Sequence, residues 1–273
     1  VTGTVANAIS NSGELSILDS SGVILSGDNS NFSGSIYTDA TSQLQVSSAS
    51  QLGSANVENS GRLVLESSDK WSLTNSISGT GTLVKSGQGT VQILNSTVSA
   101  ANTLIEDGIL QLGADTPTAN YQIQSASQSE GLELDASDNS TTLASNVTID
   151  QNGTLGGFGR VTGNVDNAGR LVMPHALTGN SFANFVINGN YTGQTGSQLV
   201  FDTVLAGDNS ETDRLYITGN ANGESSVVVN KIGGTGANTT TGIKLIDIAG
   251  QSDANFTLAN RVVAGAYEYQ LAQ

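Results

Sequence analysis

The chain has one histidine, His175, and no cysteine. A Ser-His-Asp hydrolase would have to be built on that single imidazole, which takes a proton from the nucleophile and returns it to the leaving group. His175 follows Pro174 in a segment that reads as a turn. No nucleophile-elbow phrase lies near it, so it reads as a turn or surface histidine. The phrase Gly-Asp-Asn-Ser occurs twice, starting at Gly27 and at Gly207, and both copies read as turns. Without thiols there is no Cys nucleophile, thiolate metal site or disulfide framework. The carboxylates offer one cluster, Asp202, Asp208, Glu211 and Asp213. Oxygen ligands of this kind suit calcium, and a solvated acidic loop is the plainer reading. The glycine-rich stretches at residues 156–161 and 231–236 lack the Gly-Lys-Ser/Thr phrase that cradles phosphate. The sequence therefore points to no catalytic residue, no metal and no cofactor.

Charge narrows the partners. The formal net charge is −15, from 24 acidic and 9 basic residues, and the first base is Arg62. Nucleic acid is excluded as a partner, because phosphate binding rests on clustered Lys and Arg. An anionic membrane surface is disfavoured for the same reason. No apolar run approaches the roughly 20 residues of a membrane-spanning helix. The opening residues, VTGTVANAIS, lack the basic start and apolar core of a signal peptide, so an exported protein would be represented by a mature fragment.

The elements that carry these residues are short. Hydrophobic residues make up 37% and aromatics 5%, with 33 glycines and only 2 prolines. Val, Ile and Thr recur in brief alternating runs, which favours strands. Asn, Ser, Asp and Gly fill the gaps, as tight turns require. The phrase Asn-x-Gly-x-Leu recurs at Asn11–Leu15, Asn59–Leu63 and Asn167–Leu171. Turns of this kind are spaced about 20 residues apart, the mark of an imperfect solenoid. No sustained 3.6-residue period argues for helix. The expectation is an all-β parallel β-helix of about seven coils, with an antiparallel sandwich as the competing architecture. Each coil buries one side of its strands into a thin core and leans on its neighbours for the rest.

After about residue 175 the runs lengthen: QLVFDTVL, DRLYITG, SVVVNKI, GIKLIDIAG and AYEYQLAQ. This texture predicts two units, coils over 1–175 and a hairpin-rich or sandwich-like cap over 176–273. A cap is expected because an open end of a β-helix presents unpaired strand edges. Leu215, Ile217, Val227, Val229, Leu245, Tyr267 and Tyr269 give the cap the highest local apolar density in the chain, and are read as its folding nucleus.

These phrases resemble a known family. ISGTGTLVKSGQGTVQIL (77–94), TLIEDGILQLG (103–113) and GTLGGFGRVTGNVDNAGRLVM (153–173) are similar to recurring coils in passengers of bacterial type V autotransporters. The stretch from Asp213 to Gly250, with VVAGAYEYQLAQ at the end, resembles the C-terminal autochaperone region of pertactin-like and AIDA-type passengers. Met173-Pro174-His175-Ala176 departs from the Ala-Pro-Gly-Asn of such relatives. The resemblance implies a right-handed parallel β-helix at the cell surface, reached through the periplasm and outer membrane. It implies a C-terminal outer-membrane β-barrel of the same protein as a partner, and a cap that promotes folding and secretion of an adhesin or virulence factor. A host or sister-cell surface ligand is the expected target. The alternatives are the stalk of a secreted protease or esterase whose catalytic domain lies upstream, and a platform that recruits a host protein.

Overall fold

The computed structural model describes residues 2–94, 97–116 and 141–273. Almost every strand pairs in parallel with the strand one coil away, and the pairings resolve into three faces. The first face begins with Glu14–Ile17, Ser35–Thr38, Asn56–Asn59 and Ile77–Ser78, and ends at Ile246–Ile248. The second passes from Thr2–Val5 through Gly22–Leu25, Gln43–Val46, Arg62–Glu66 and Thr82–Ser86 to the start of Ala221–Gly233. The third runs from Lys70–Leu73 to Asn255–Leu258. The molecule is a parallel β-helix.

The register explains the sequence spacing. Leu15, Ile36, Val57, Ile77 and Val98 stack on one another, 20 or 21 residues apart. From Leu143 the coils change length: Val161, Ile187, Ile217 and Ile248 follow at intervals of 18, 26, 30 and 31 residues. Within a strand, inward residues are buried and outward ones are not; Ile36 and Thr38 are buried, whereas Ser35 and Tyr37 are only half-buried. Small aliphatic side chains suffice because each meets its counterparts directly above and below, a spacing of about 4.8 Å. One charge interrupts the stack. Lys85 lies between Leu65 and Ile105 and is fully buried. Its Nζ donates to the carbonyls of Ser86 (2.8 Å), Gly87 (2.5 Å) and Asp107 (2.9 Å).

Among the described residues the first face holds seven strands within 1–175, the number of coils that turn spacing predicts there, and three more follow in 176–273. One feature differs from the sequence reading: the change of texture near residue 175 is a change of coil length rather than of pairing. Gln198–Val204, Arg214–Ile217 and Ala221–Gly233, expected in hairpins, all lie in the parallel ladder. Their long apolar runs meet the neighbouring coil, not each other. Antiparallel pairing among the described residues is confined to Val262–Ala264 with Tyr267–Tyr269 and a single bridge between Thr203 and Thr212.

Candidate functional site

The C-terminal coils gather most of the residues singled out by the sequence. Between strands Arg170–Val172 and Asn184–Asn188 the chain leaves the solenoid as a short helix, Pro174–Thr178. Proline opens it, where a missing N–H costs nothing, and Gly179 at φ 72° closes it. The predicted turn is therefore one helical turn, and it carries His175 inward. The His175 side chain is 12% exposed, with Nδ1 2.6 Å from Asp202 Oδ2. Its ring stacks on Phe182 at 4.3 Å. The surface histidine of the sequence reading is thus a nearly enclosed one. Among the described residues no serine hydroxyl hydrogen-bonds the ring, whose partner is the Asp202 carboxylate.

The acidic cluster is not one solvated loop. Asp213 is fully buried and accepts the backbone N–H groups of His175 (2.9 Å), Ala176 (2.9 Å) and Asp202 (3.2 Å). Burial pushes its carboxyl up to about 6, against the pull of those N–H donors. Asp202 takes the imidazole on one oxygen and the Asn230 amide on the other at 2.9 Å. Asp208 points outward and clamps the loop of the last coil. Its two oxygens accept the N–H groups of Thr240, Thr241 and Gly242 and the Thr240 hydroxyl. The Thr240 hydroxyl leads the bonds that hold this carboxyl down at about 2. Glu211 remains exposed. The four acids therefore diverge, and among the described residues no three His, Asp or Glu side chains converge as a metal site.

The seven residues read as a nucleus fall into two groups. Leu215, Ile217, Val227 and Val229 are buried in the stack. Leu245 is only half-buried, and Tyr267 is 43% exposed. Leu245 directly precedes Ile246–Ile248, and Tyr267 opens the second strand of the hairpin. Tyr269 is a latch: its hydroxyl donates to the carbonyl of Ala206 (2.8 Å) and accepts the N–H of Ala237 (3.0 Å). It thus ties the hairpin to two successive coils.

The sequence reading passed over the largest buried side chains here, Tyr191, Phe185 and Phe201. Tyr191 stacks between Val165 and Ala221. Its hydroxyl meets Ser225 (2.7 Å) and Asn167 (3.1 Å), which closes a buried polar network. The signal that could have found it is the alternation in YTG and NFVIN flanking Gly189-Asn190.

Comparison with known proteins agrees with this geometry. Residues 160–271, the region that holds the short helix, the acids and the hairpin, match the family described as Autochaperone Domain Type 1. The chain is 39% identical to YuaQ of Escherichia coli (strain K12) over 228 residues, 82% of this chain and 15% of that protein. It is 49% identical to the autotransporter adhesin AIDA-I of Escherichia coli over 94 residues, 34% of this chain and 7% of that protein. Over 99% of its length it is 36% identical to the adhesin BmaC autotransporter of Brucella suis, covering 8% of it. The chain thus spans 15% or less of the length of these relatives. It is an autotransporter passenger segment with an autochaperone region, a class exported to the bacterial cell surface.

Proposed function

We propose that this segment is the folding base of an adhesive passenger. Its C-terminal coils, residues 176–273, form first and template the coils of 1–175, and the finished β-helix displays a binding surface for a host or sister-cell ligand. The observation that carries this reading is the uninterrupted parallel ladder across the region boundary. Thr141–Leu143 pair with Gly159–Val161, and Arg160–Thr162 pair in turn with Val186–Asn188. A coil cannot bury its apolar side alone, so a preformed edge supplies the missing half. In the whole protein the partner below this base is its own outer-membrane β-barrel. The adhesin names of AIDA-I and BmaC support the adhesive role. The same names support a segment without enzymatic activity of its own.

The test is deletion of 176–273 from the whole passenger, displayed on cells with its barrel intact. The barrel should insert, while the passenger becomes protease-sensitive and cell adhesion is lost. A protease-resistant passenger that still supports adhesion would refute the templating role. A turnover of ester or peptide substrate that vanishes in His175→Ala would refute the non-enzymatic one.

A further inference from the structure

We propose that one corner of the β-helix is a binding track for a neutral, linear, extended glycan lying along the solenoid axis. The track is a ladder of carboxamides. The N–H of Asn164 donates to Asn146 Oδ1 (3.0 Å), that of Asn190 to Asn164 Oδ1 (2.9 Å), and that of Asn220 to Asn190 Oδ1 (2.8 Å). The N–H of Gln251 donates to Asn220 Oδ1 at 2.9 Å and completes the series. Every step spans one coil, and all five side chains are exposed.

Fixing each Oδ1 on the next coil also fixes each Nδ2. Those of Asn164, Asn190 and Asn220 have no hydrogen-bond acceptor among the described residues. The result is a row of outward N–H donors, one per coil, about 4.8 Å apart and held before any ligand arrives. Donors fixed in advance lose little freedom on binding. Each of the three is preceded by a glycine, and a Cβ on Gly189 or Gly219 would lie 2.2 Å or 2.5 Å from the carbonyl oxygen one coil below. The corner therefore stays low and unobstructed. Two residues further along each strand stand Thr148, Asp166, Thr192 and Asn222, hydroxyls and amides with one acid and no base.

This surface selects its occupant. A second copy of the same corner would set Nδ2 donors against Nδ2 donors, because each Oδ1 is turned toward the N–H of the next coil. An anionic polymer meets Asp166 and a net charge of −15. A protein strand laid along the axis repeats its same-side carbonyls about every 6.8 Å and falls out of register after one contact. An extended β-1,4-linked glycan advances one ring in close to one coil rise, and each ring offers hydroxyl and ring oxygens as acceptors. The inference rests on the adhesive reading only for the setting in which such a glycan is met.

Titration calorimetry of the 273-residue chain with cellohexaose, and with maltohexaose as the coiled isomer, tests it. Asn164→Asp with Asn190→Asp keeps the accepting oxygens of the ladder and deletes the donors, adding a carboxylate charge at each position to which a neutral glycan is indifferent. The expected result is binding to cellohexaose, at least tenfold weaker in the double variant and at least tenfold weaker for maltohexaose. Thr192→Val, which breaks no ladder bond, should weaken binding at least threefold and serves if the double variant unfolds early. Absence of cellohexaose binding at millimolar concentration, equal binding of maltohexaose, or full binding by the variants would overturn the proposal. Displaying cells that still adhere while cellohexaose fails to bind would leave the adhesive reading intact and remove only the track.

Discussion

Lys85 is an ammonium set in an aliphatic column. Its three donors are matched by three backbone carbonyls, which is why the site tolerates it. Burial still dominates, and with Asp107 and Glu66 pulling the other way it lowers the amine to about 8. The unfolded chain holds that proton up to about 10.4, so between pH 8 and 10 the unfolded state binds more protons. The cost of the buried charge, present in full below pH 8, is relieved as pH rises through that window. Lys85→Met continues the column between Leu65 and Ile105, and such replacements are often neutral or stabilising. The prediction is a denaturant midpoint for Lys85→Met equal to or above that of the parent at pH 7. The variant should also lack the gain in midpoint that the parent shows between pH 8 and 9.5. A marked loss at pH 7 would show that the three carbonyls depend on the ammonium. Acid titration separates two aspartates in the opposite way. Asp213, raised to about 6 by burial, is protonated first in the folded state. Its charge is a cost above pH 6 that acidification toward 4 removes. Asp208, lowered to about 2, contributes stability that is complete above pH 4 and is lost as pH falls toward 2. Thermal midpoints across pH 7 to 2 should therefore fall less steeply at low pH in Asp208→Ala, where Asp39, also held at about 2, still contributes, and should lose the rise between pH 6 and 4 in Asp213→Asn.

Corners, more than strands, are what this sequence encodes. The phrase Asn-x-Gly-x-Leu is a true structural signal, but it marks a corner of any kind. Leu15 lies on the first face, Leu63 on the second and Leu171 on the third. The spacing between copies is therefore not a coil length. The buried amides behind the phrase explain it: Asn59 Nδ2 donates to the carbonyl of Thr82 (3.0 Å), and Asn167 Oδ1 accepts the N–H of Gly169 (3.0 Å). The Gly-Asn corners at 163–164, 189–190 and 219–220 were equally visible in the sequence. Their separations of 26 and 30 residues hide them from a search near 20. The close stacking at this corner gives a sharp prediction. The Gly189→Ala methyl would lie 2.2 Å from the Gly163 carbonyl oxygen, a backbone atom that cannot move without breaking the ladder. Overpacking of this kind costs about 1–3 kcal/mol or more. Gly207→Ala, which meets nothing within 4 Å, is the control and should leave the denaturant midpoint within experimental error. Equal midpoints for the two variants would show that the corner relaxes freely.

At the scale of the molecule, parallel pairing makes every coil the template for the next, so stability and folding order are coupled along one axis. Fold class was legible because strand alternation and turn chemistry repeat all along the chain. The inward placement of His175, Asp202 and Asp213 was not, because it depends on contacts between residues 27 and 38 positions apart. The long runs after residue 175 suggested hairpins because a run such as QLVFDTVL has the same pattern whether its partner is the next strand or the next coil. Those coils hold the bulkiest fully buried aromatic side chains, Tyr191, Phe185 and Phe201, and the only registered antiparallel pairing among the described residues, Val262–Ala264 with Tyr267–Tyr269. The hairpin lies against Ala221–Gly233, and Tyr269 fastens it there. The hairpin covers part of that edge, whereas a coil upstream leans on its neighbours for its burial. Refolding should therefore start from the C-terminal coils. Leu215→Ala, at a fully buried position, should cost about 2–5 kcal/mol and slow refolding of the entire chain. Leu245→Ala, at a half-buried position, should cost less. Tyr269→Phe deletes only the latch hydroxyl and should loosen 262–269 in hydrogen exchange before any other segment. A fragment of residues 1–175 that refolds with the midpoint and rate of the whole chain would reduce the C-terminal coils to a cover over an exposed edge.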